Sequence, residues 1–401
     1  MRIRIAVLSA ALFVSVAAAP VHAAAVGAGP GTVEEQRLDK AVPQEILKLS
    51  GFDTATSAFA RALHASRSYA QAAAVTELHG RLLWRRAVDR AHGHGPAGAI
   101  SRDDDRPLYW ARLAMSRELR GWPDAGQRAK LIERLETASR GQDDIRFPGH
   151  TKRILITGFD PFTLDRDIRI SNPSGAIALA LDGTLVRTSH GLARVEAAVF
   201  PVRWQDFADG EVERTLRAQL PKVDMFTTIS QGRVGRIDVE RTNGAWRGGF
   251  PDNDNASSAG TIPVTDPATQ PQWTVTTLPY ARIVAAKTGR FPVYDHTEVT
   301  EIPAGGTTPV VRPDGPTPGS TARAGGGGDY LSNEIAYRVT LLRERLGLHD
   351  RLPGGHVHTP VLQFGAGNTD PATGQVTDPQ FVQNRLDIIA QVRAILIVAA
   401  S

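Results

Sequence analysis

The chain changes its hydrophobic grammar once, near residue 152, and that change limits the folds open to it. From Thr32 to about Phe147 the apolar residues keep helical spacing. Thr32 and Glu35 stand at capping-box separation, residues 58–75 are Ala-rich, and Leu131, Ile132 and Leu135 share one face of a helix. No strand signal interrupts this stretch. At Arg153 the pattern turns over: Ile154-Leu155-Ile156-Thr157 is a short β-branched run that ends in a Gly-Phe-Asp-Pro-Phe turn. Strand candidates at 195–202 and 223–230 then alternate with helical patterns at 175–181 and 207–220. Strand and helix in alternation imply an α/β fold with helices on both faces of a sheet, here over 152–401, preceded by an all-helical N-terminal domain over 32–150. The last element is a helix, with Asp378 as N-cap, Pro379 in the first turn, and Val382, Leu386, Ile389, Val392 and Leu396 forming its apolar stripe.

One segment departs from both grammars. Between 301 and 328, Pro and Gly supply 13 of 28 residues and end in four consecutive glycines, so a mobile insertion without a core of its own is expected there. The N-terminus carries Arg2 and Arg4, an apolar run at 5–19 and then Val21-His22-Ala23, the pattern of a secretory signal over 1–23 cleaved after Ala23. About 15 apolar residues fall short of the roughly 20 that span a bilayer, so an exported protein, periplasmic or extracellular and free of the membrane after cleavage, is expected. The balance of 46 basic against 42 acidic residues implies no polyanion-binding surface and argues against a nucleic-acid partner. With no cysteine in the chain, disulfides, Cys-ligated zinc and a thiol nucleophile are excluded. His92 and His94 lie in a His-Gly-His-Gly loop with no third ligand in view, which does not make a metal site.

The strand ending in Gly158-Phe159-Asp160-Pro161-Phe162 is followed by Asn172-Pro173-Ser174, Phe200-Pro201-Val202, Gln231-Gly232-Arg233, Val239-Glu240-Arg241 and Pro251-Asp252-Asn253. Thr277-Leu278-Pro279, Gly328-Asp329-Tyr330-Leu331-Ser332-Asn333 and His356-Val357-His358-Thr359-Pro360 complete the series. In this order the motifs resemble the pyroglutamyl peptidase I (pyrrolidone-carboxylate peptidase) family, from about Lys152 to the C-terminus with the insertion left out. The resemblance implies an α/β/α sandwich and, without metal or cofactor, removal of N-terminal pyroglutamate from peptides by a cysteine nucleophile, a histidine base and a glutamate that orients the histidine. Carried over by position, Glu240 matches the glutamate and His358, two residues before Pro360, matches the histidine. Ser332 falls where the cysteine belongs. Phe159 and Phe162 match aromatics that enclose the lactam ring, Gln231 is a hydrogen-bond partner for its amide, and Asn172 joins the substrate contacts.

Two further departures stand beside the serine. The family usually places an arginine two residues before Pro-Asp-Asn, where this chain has Gly249, with Arg247 two residues earlier. The 301–328 insertion directly precedes the nucleophile loop. Each site residue also has an ordinary structural alternative: Glu240 pairing with an arginine, His356 competing with His358 on the same strand face, Ser332 capping the helix that follows, and the phenylalanines packing in the core. Two functions therefore stay open at this level, an exported hydrolase with a Ser-His-Glu triad and a catalytically inactive protein that binds a lactam or peptide N-terminus. A third is an interaction protein whose helical domain carries the function.

Overall fold

A computed structural model describes residues 31–401; the expected signal segment lies outside the described residues. Thr32 opens the chain as the capping box requires: its hydroxyl accepts from the Glu35 N–H at 3.2 Å, and the Glu35 carboxylate accepts from the Thr32 N–H at 3.1 Å. Six helices follow, α1 (Val33–Gln36), α2 (Ala41–Ser50), α3 (Asp53–His64), α4 (Tyr69–Ala91), α5 (Arg106–Leu119) and α6 (Ala125–Ser139). The Ala-rich stretch at 58–75 is two helices rather than one, because Ser68 recaps the chain by accepting from Gln71 N–H. α5 runs through the middle, with Leu108, Tyr109, Trp110, Leu113 and Met115 buried. α4 and α6 meet at Gly80, where a Cβ would stand 2.8 Å from that of Ala138.

Beyond residue 150 the chain builds a seven-stranded mixed sheet. In chain order it passes through β1 (Lys152–Phe159), α7 (Pro173–Leu181), β2 (Leu185–Thr188), β3 (Gly191–Phe200), α8 (Trp204–Ala208), α9 (Glu211–Leu216), β4 (Met225–Gln231) and β5 (Ile237–Glu240). Two small hairpins intervene, β6 (Thr242–Gly244) with β9 (Trp273–Val275) and β7 (Trp246–Gly248) with β8 (Ala259–Thr261). Then come α10 (Tyr280–Ala285), β10 (Val293–His296), β11 (Val299–Ile302), β12 (Val310–Arg312), β13 (Thr321–Ala324), α11 (Leu331–Arg345), β14 (Gly354–Thr359) and α12 (Pro379–Ala400). The strand order is β10-β5-β14-β4-β1-β3-β2, with β3, β1, β4 and β14 parallel, β5 antiparallel to β14, and β10 parallel to β5.

Alternation along β1 sorts the two faces. Ile154 and Ile156 join the core under α7 and α12, which is continuous with the core of the helical domain. Leu155 and Phe159 point the other way and pack with Leu331, Ile335, Val339 and Leu342 of α11. Helices thus cover both faces, giving an α/β/α sandwich behind a helical domain.

The 301–328 segment differs from its expectation. It is not a structureless insertion: β11, β12 and β13 form a three-stranded antiparallel sheet in the order β12-β11-β13. Its centre is the fully buried Glu301, whose carboxylate accepts from Arg312 at 2.8 Å and from the hydroxyl and N–H of Thr317, both at 2.6 Å. The prolines and glycines serve its turns. A polar centre of this kind leaves no hydrophobic periodicity in the sequence to read.

Candidate active site

Sheet register gathers the chemistry. Glu240 ends β5 and lies opposite His296 of β10 on one side and His356 of β14 on the other, while His356 and His358 pair in turn with Thr228 and Ser230 of β4. All of these side chains share the sheet face covered by α11. Glu240 is fully buried, and both its oxygens are taken: Oε1 lies 2.7 Å from His358 Nδ1 and Oε2 lies 2.6 Å from His296 Nδ1. Burial alone would raise its pKa, but the two histidine hydrogen bonds outweigh it and bring the carboxyl down to about 2. An ionised carboxylate only accepts, so His358 carries its proton on Nδ1 and leaves Nε2 as the basic nitrogen.

His356 has a different task. Its ring is enclosed between Thr228 Oγ1 at 2.8 Å and Ser230 Oγ at 2.9 Å, and burial, with His358 beside it at 4.6 Å between ring centroids, pushes its pKa well down. It is a neutral strut. The Gln231-Gly232-Arg233 motif also acquires a reason, since a Cβ on Gly232 would stand 2.6 Å from that of His358.

Ser332 is the second residue of α11, and Tyr330, in extended conformation, is the N-cap; Ser332 is therefore not the helix cap that its sequence context also allowed. Its hydroxyl donates to the Gly327 carbonyl at 2.9 Å and makes no hydrogen bond to His358 among the described residues. The four glycines form a tight turn between insertion sheet and helix, closed by Gly325 N–H to Gly328 O at 2.8 Å and Gly328 N–H to Gly325 O at 2.9 Å. A Cβ on Gly327 would lie 3.3 Å from His358 Cε1, and one on Gly326 would overlap Glu240 Oε2. The turn lies against Glu240 and His358.

Phe159, Phe162, Asn172, Gln231 and Ser332 line a single small cleft of about 30 Å³, together with Val202, Ser230, Tyr330 and Leu331. Within it their situations differ. Phe159 is buried and stacks on Phe207, as a core phenylalanine would, whereas Phe162 is half-buried and stacks on Tyr330 at 6.1 Å between centroids. Gln231 has no side-chain partner among the described residues. Asn172 is fully engaged as the N-cap of α7, accepting from Ser174 N–H at 3.0 Å and donating to Asp160 O at 2.9 Å, so it braces the cleft wall. Gly249 has φ +88°, a conformation in which a side chain is strained, and Arg247 is held by Glu334 at 2.5 and 2.6 Å. The arginine position of the family motif is closed off by the backbone itself.

Contacts from the helical domain reach the motif loops at Asp160, Asn172 and Asn253, and sequence reasoning missed them. Asp160 is paired with Arg112 and with Arg140, the latter at 2.7 Å. Asp105 accepts from Asn172 N–H at 2.9 Å and from the Ser171 hydroxyl. Glu34 receives Tyr109, Asn253 and Arg203 at 2.8, 2.9 and 3.0 Å. His296 was missed too; its only signal is the short Val293-Tyr294-Asp295-His296 run after Pro292.

Two family models match the chain, the PA0049 N-terminal domain over residues 16–136 and the PA0049 C-terminal domain over 153–267 and 291–363. The uncharacterized protein PA0049 of Pseudomonas aeruginosa is 35% identical, over 91% of this chain and 88% of its own length. The chain belongs to the PA0049 family. Among solved structures, pyroglutamyl peptidase I of Bacillus amyloliquefaciens aligns with 62% of this chain and 97% of its own, at 20% identity and TM-score 0.41. Pyrrolidone carboxyl peptidase of Thermococcus litoralis aligns with 61% of this chain and 94% of its own, at 21% identity and TM-score 0.40.

Proposed function

We propose that this PA0049-family protein is an exported hydrolase that removes N-terminal pyroglutamate from peptides, with Ser332 as nucleophile, His358 as general base and Glu240 as the residue that orients His358. The observation that carries the reading is the buried Glu240–His358 pair at 2.7 Å, on the strand positions that the ordered motifs single out, next to a cleft holding Ser332, Phe159, Phe162 and Gln231. A serine hydroxyl does not ionise ahead of attack, so it needs a base to remove its proton as the bond to carbon forms. The reading requires the Ser332 hydroxyl to leave Gly327 O and turn toward His358 Nε2. The N-terminal end of α11 then places its positive dipole and free amides beside the developing oxyanion. Phe162 and Tyr330 supply apolar walls for a lactam ring, and the unpaired Gln231 carboxamide supplies a polar contact for its amide.

The test is release of a reporter amine from a pyroglutamyl amide. Wild type should release it, and Ser332→Ala and His358→Ala should each lose nearly all release, because residues of a triad act as a unit. Equal release by wild type and Ser332→Ala would remove Ser332 from the mechanism. The second reading, a binder without turnover, draws on the Ser332–Gly327 hydrogen bond and on Gly249 in place of an arginine. It requires a pyroglutamyl peptide to bind, by calorimetry, to a wild type that releases no product.

A further inference from the structure

The Glu240 carboxylate is held at both ends, and only one end is accounted for by the triad. His296 Nδ1 lies 2.6 Å from Oε2, as close as His358 lies to Oε1, and His296 is nearly buried while Glu240 is wholly so. The contact is built into the sheet. β10 runs parallel to β5 with His296 directly opposite Glu240, and the strand is locked there by Arg241 N–H donating to the His296 carbonyl at 3.0 Å. From the remaining side Gly326 lies against Oε2 so closely that only a glycine fits.

We infer that His296 is a positioning residue for the site: it acts through Glu240, holding the carboxylate in the one rotamer that points Oε1 at His358. This inference rests on the hydrolase reading for its kinetic consequence but not for its structural one. A carboxylate bonded at one oxygen can rotate about its χ angles and break that bond; a second donor on the other oxygen removes the freedom. The requirement is sharper for a serine than for a thiol, since the base must be aligned when the proton moves. The other charged and titratable groups around the carboxylate do not substitute for His296. Arg233 Nη1 is 3.9 Å from Oε1 and engaged with Asp238 at 2.8 Å, Arg236 is also on Asp238, Asp295 is paired with Arg241, and His356 is bonded to Thr228 and Ser230.

Two variants of the whole chain test it, His296→Ala, which deletes the donor, and His296→Asn, which retains a side-chain N–H near the Nδ1 position. The first measurement is independent of activity: the hydrogen-bonded Nδ1 proton of His358, followed as a slowly exchanging downfield signal by NMR and assigned by its loss in His358→Gln, which leaves the His296 proton in place. It should persist in His296→Asn and exchange away in His296→Ala. The second measurement is steady-state kinetics on the pyroglutamyl amide, where His296→Ala should lower kcat about 10- to 100-fold with KM little changed, and His296→Asn should recover most of it. A His358 signal and kcat both unchanged in His296→Ala overturn the inference, as does an Asn variant no better than the Ala variant. If wild type turns over no substrate, the hydrolase reading fails and the NMR comparison alone decides the role of His296, in the same two directions.

Discussion

Gly326 offers a test in which two accounts of the glycine run predict opposite signs. If the run is a flexible linker, Gly326→Ala reduces the freedom of the unfolded chain and stabilises the protein by about 0.4–1 kcal/mol. The structure says otherwise. A Cβ at this position overlaps Glu240 Oε2 and stands 3.2 Å from the carboxyl carbon and 3.3 Å from the Glu240 Cβ, against the roughly 3.5–4.0 Å at which such atoms attract. Gly326 is also tied by its N–H to Thr242 O at 2.7 Å, so the turn cannot simply lift away. Something must give by about 1 Å, and overpacking of this kind costs about 1–3 kcal/mol. Since the displaced group is the carboxylate that orients His358, a shift of that size should also lower kcat by about 100-fold. Urea unfolding with the reporter-amide assay reads both quantities, and Gly367→Ala, in an exposed 3₁₀ turn where a Cβ meets nothing within 4 Å, is the control for glycine replacement without a clash. A Gly326→Ala protein as stable as wild type or more so would refute the close-packing account.

Ser332→Cys should raise release of the reporter amine in reducing buffer and lose that gain in mild peroxide, with wild type indifferent to both, because a thiolate is nucleophilic at neutral pH but oxidises readily; a cysteine variant that stays inactive when reduced would show that the site has lost more than its nucleophile. Asp105 is pushed up to about 7 by burial and by the adjacent Asp104 charge, and burial does the same to Asp182. Between the ordinary value near 4 and the folded value near 7 the native state keeps protons that the unfolded chain has released, so stability should fall as pH rises through that window, by on the order of 4 kcal/mol per carboxyl at most. Urea midpoints at pH 5 and pH 8 check this: Asp105→Asn should flatten the decline, and a slope parallel to wild type would refute it.

Much of the α/β domain was legible in the sequence because its signals are local or ordered. The change of period at residue 152, the Thr32–Glu35 capping box and Asp378 ahead of Pro379 each declare themselves within a few residues, and Asp378 does accept from Phe381 N–H at 2.8 Å. The ordered motifs pointed to Glu240 and His358, which the sheet places 2.7 Å apart although 118 residues separate them. Glycine was ambiguous by its nature. The same four residues suit a loose linker or a backbone pressed against a buried carboxylate, and only the neighbour across the turn distinguishes the two. His296 was hidden because a single histidine on an edge strand looks like any surface histidine until the register puts it beside Glu240.

The helical domain was the least legible part in function, and the reason lies in what joins it to the sandwich. Its contacts with the motif loops are charged and distant in sequence: Arg112 reaches Asp160 across 48 residues, Asp105 reaches Asn172 across 67, and Glu34 meets Asn253 across 219. Hydrophobic periodicity carries no trace of such pairs. Their energetics nevertheless bind the two parts into one functional unit, because a buried carboxylate deprived of its partner costs about 3–5 kcal/mol, far more than the net worth of the intact pair. Asp160 sits in the Gly-Phe-Asp-Pro-Phe turn between two aromatics of the cleft, and its own carbonyl holds Asn172. Without Arg112 and Arg140, Asp160 would have to take up a proton or move toward water, and movement would carry the cleft wall with it. The helical domain is therefore a structural component of the site, since its arginines pair with the one carboxylate in the turn that carries the aromatic wall beside Ser332.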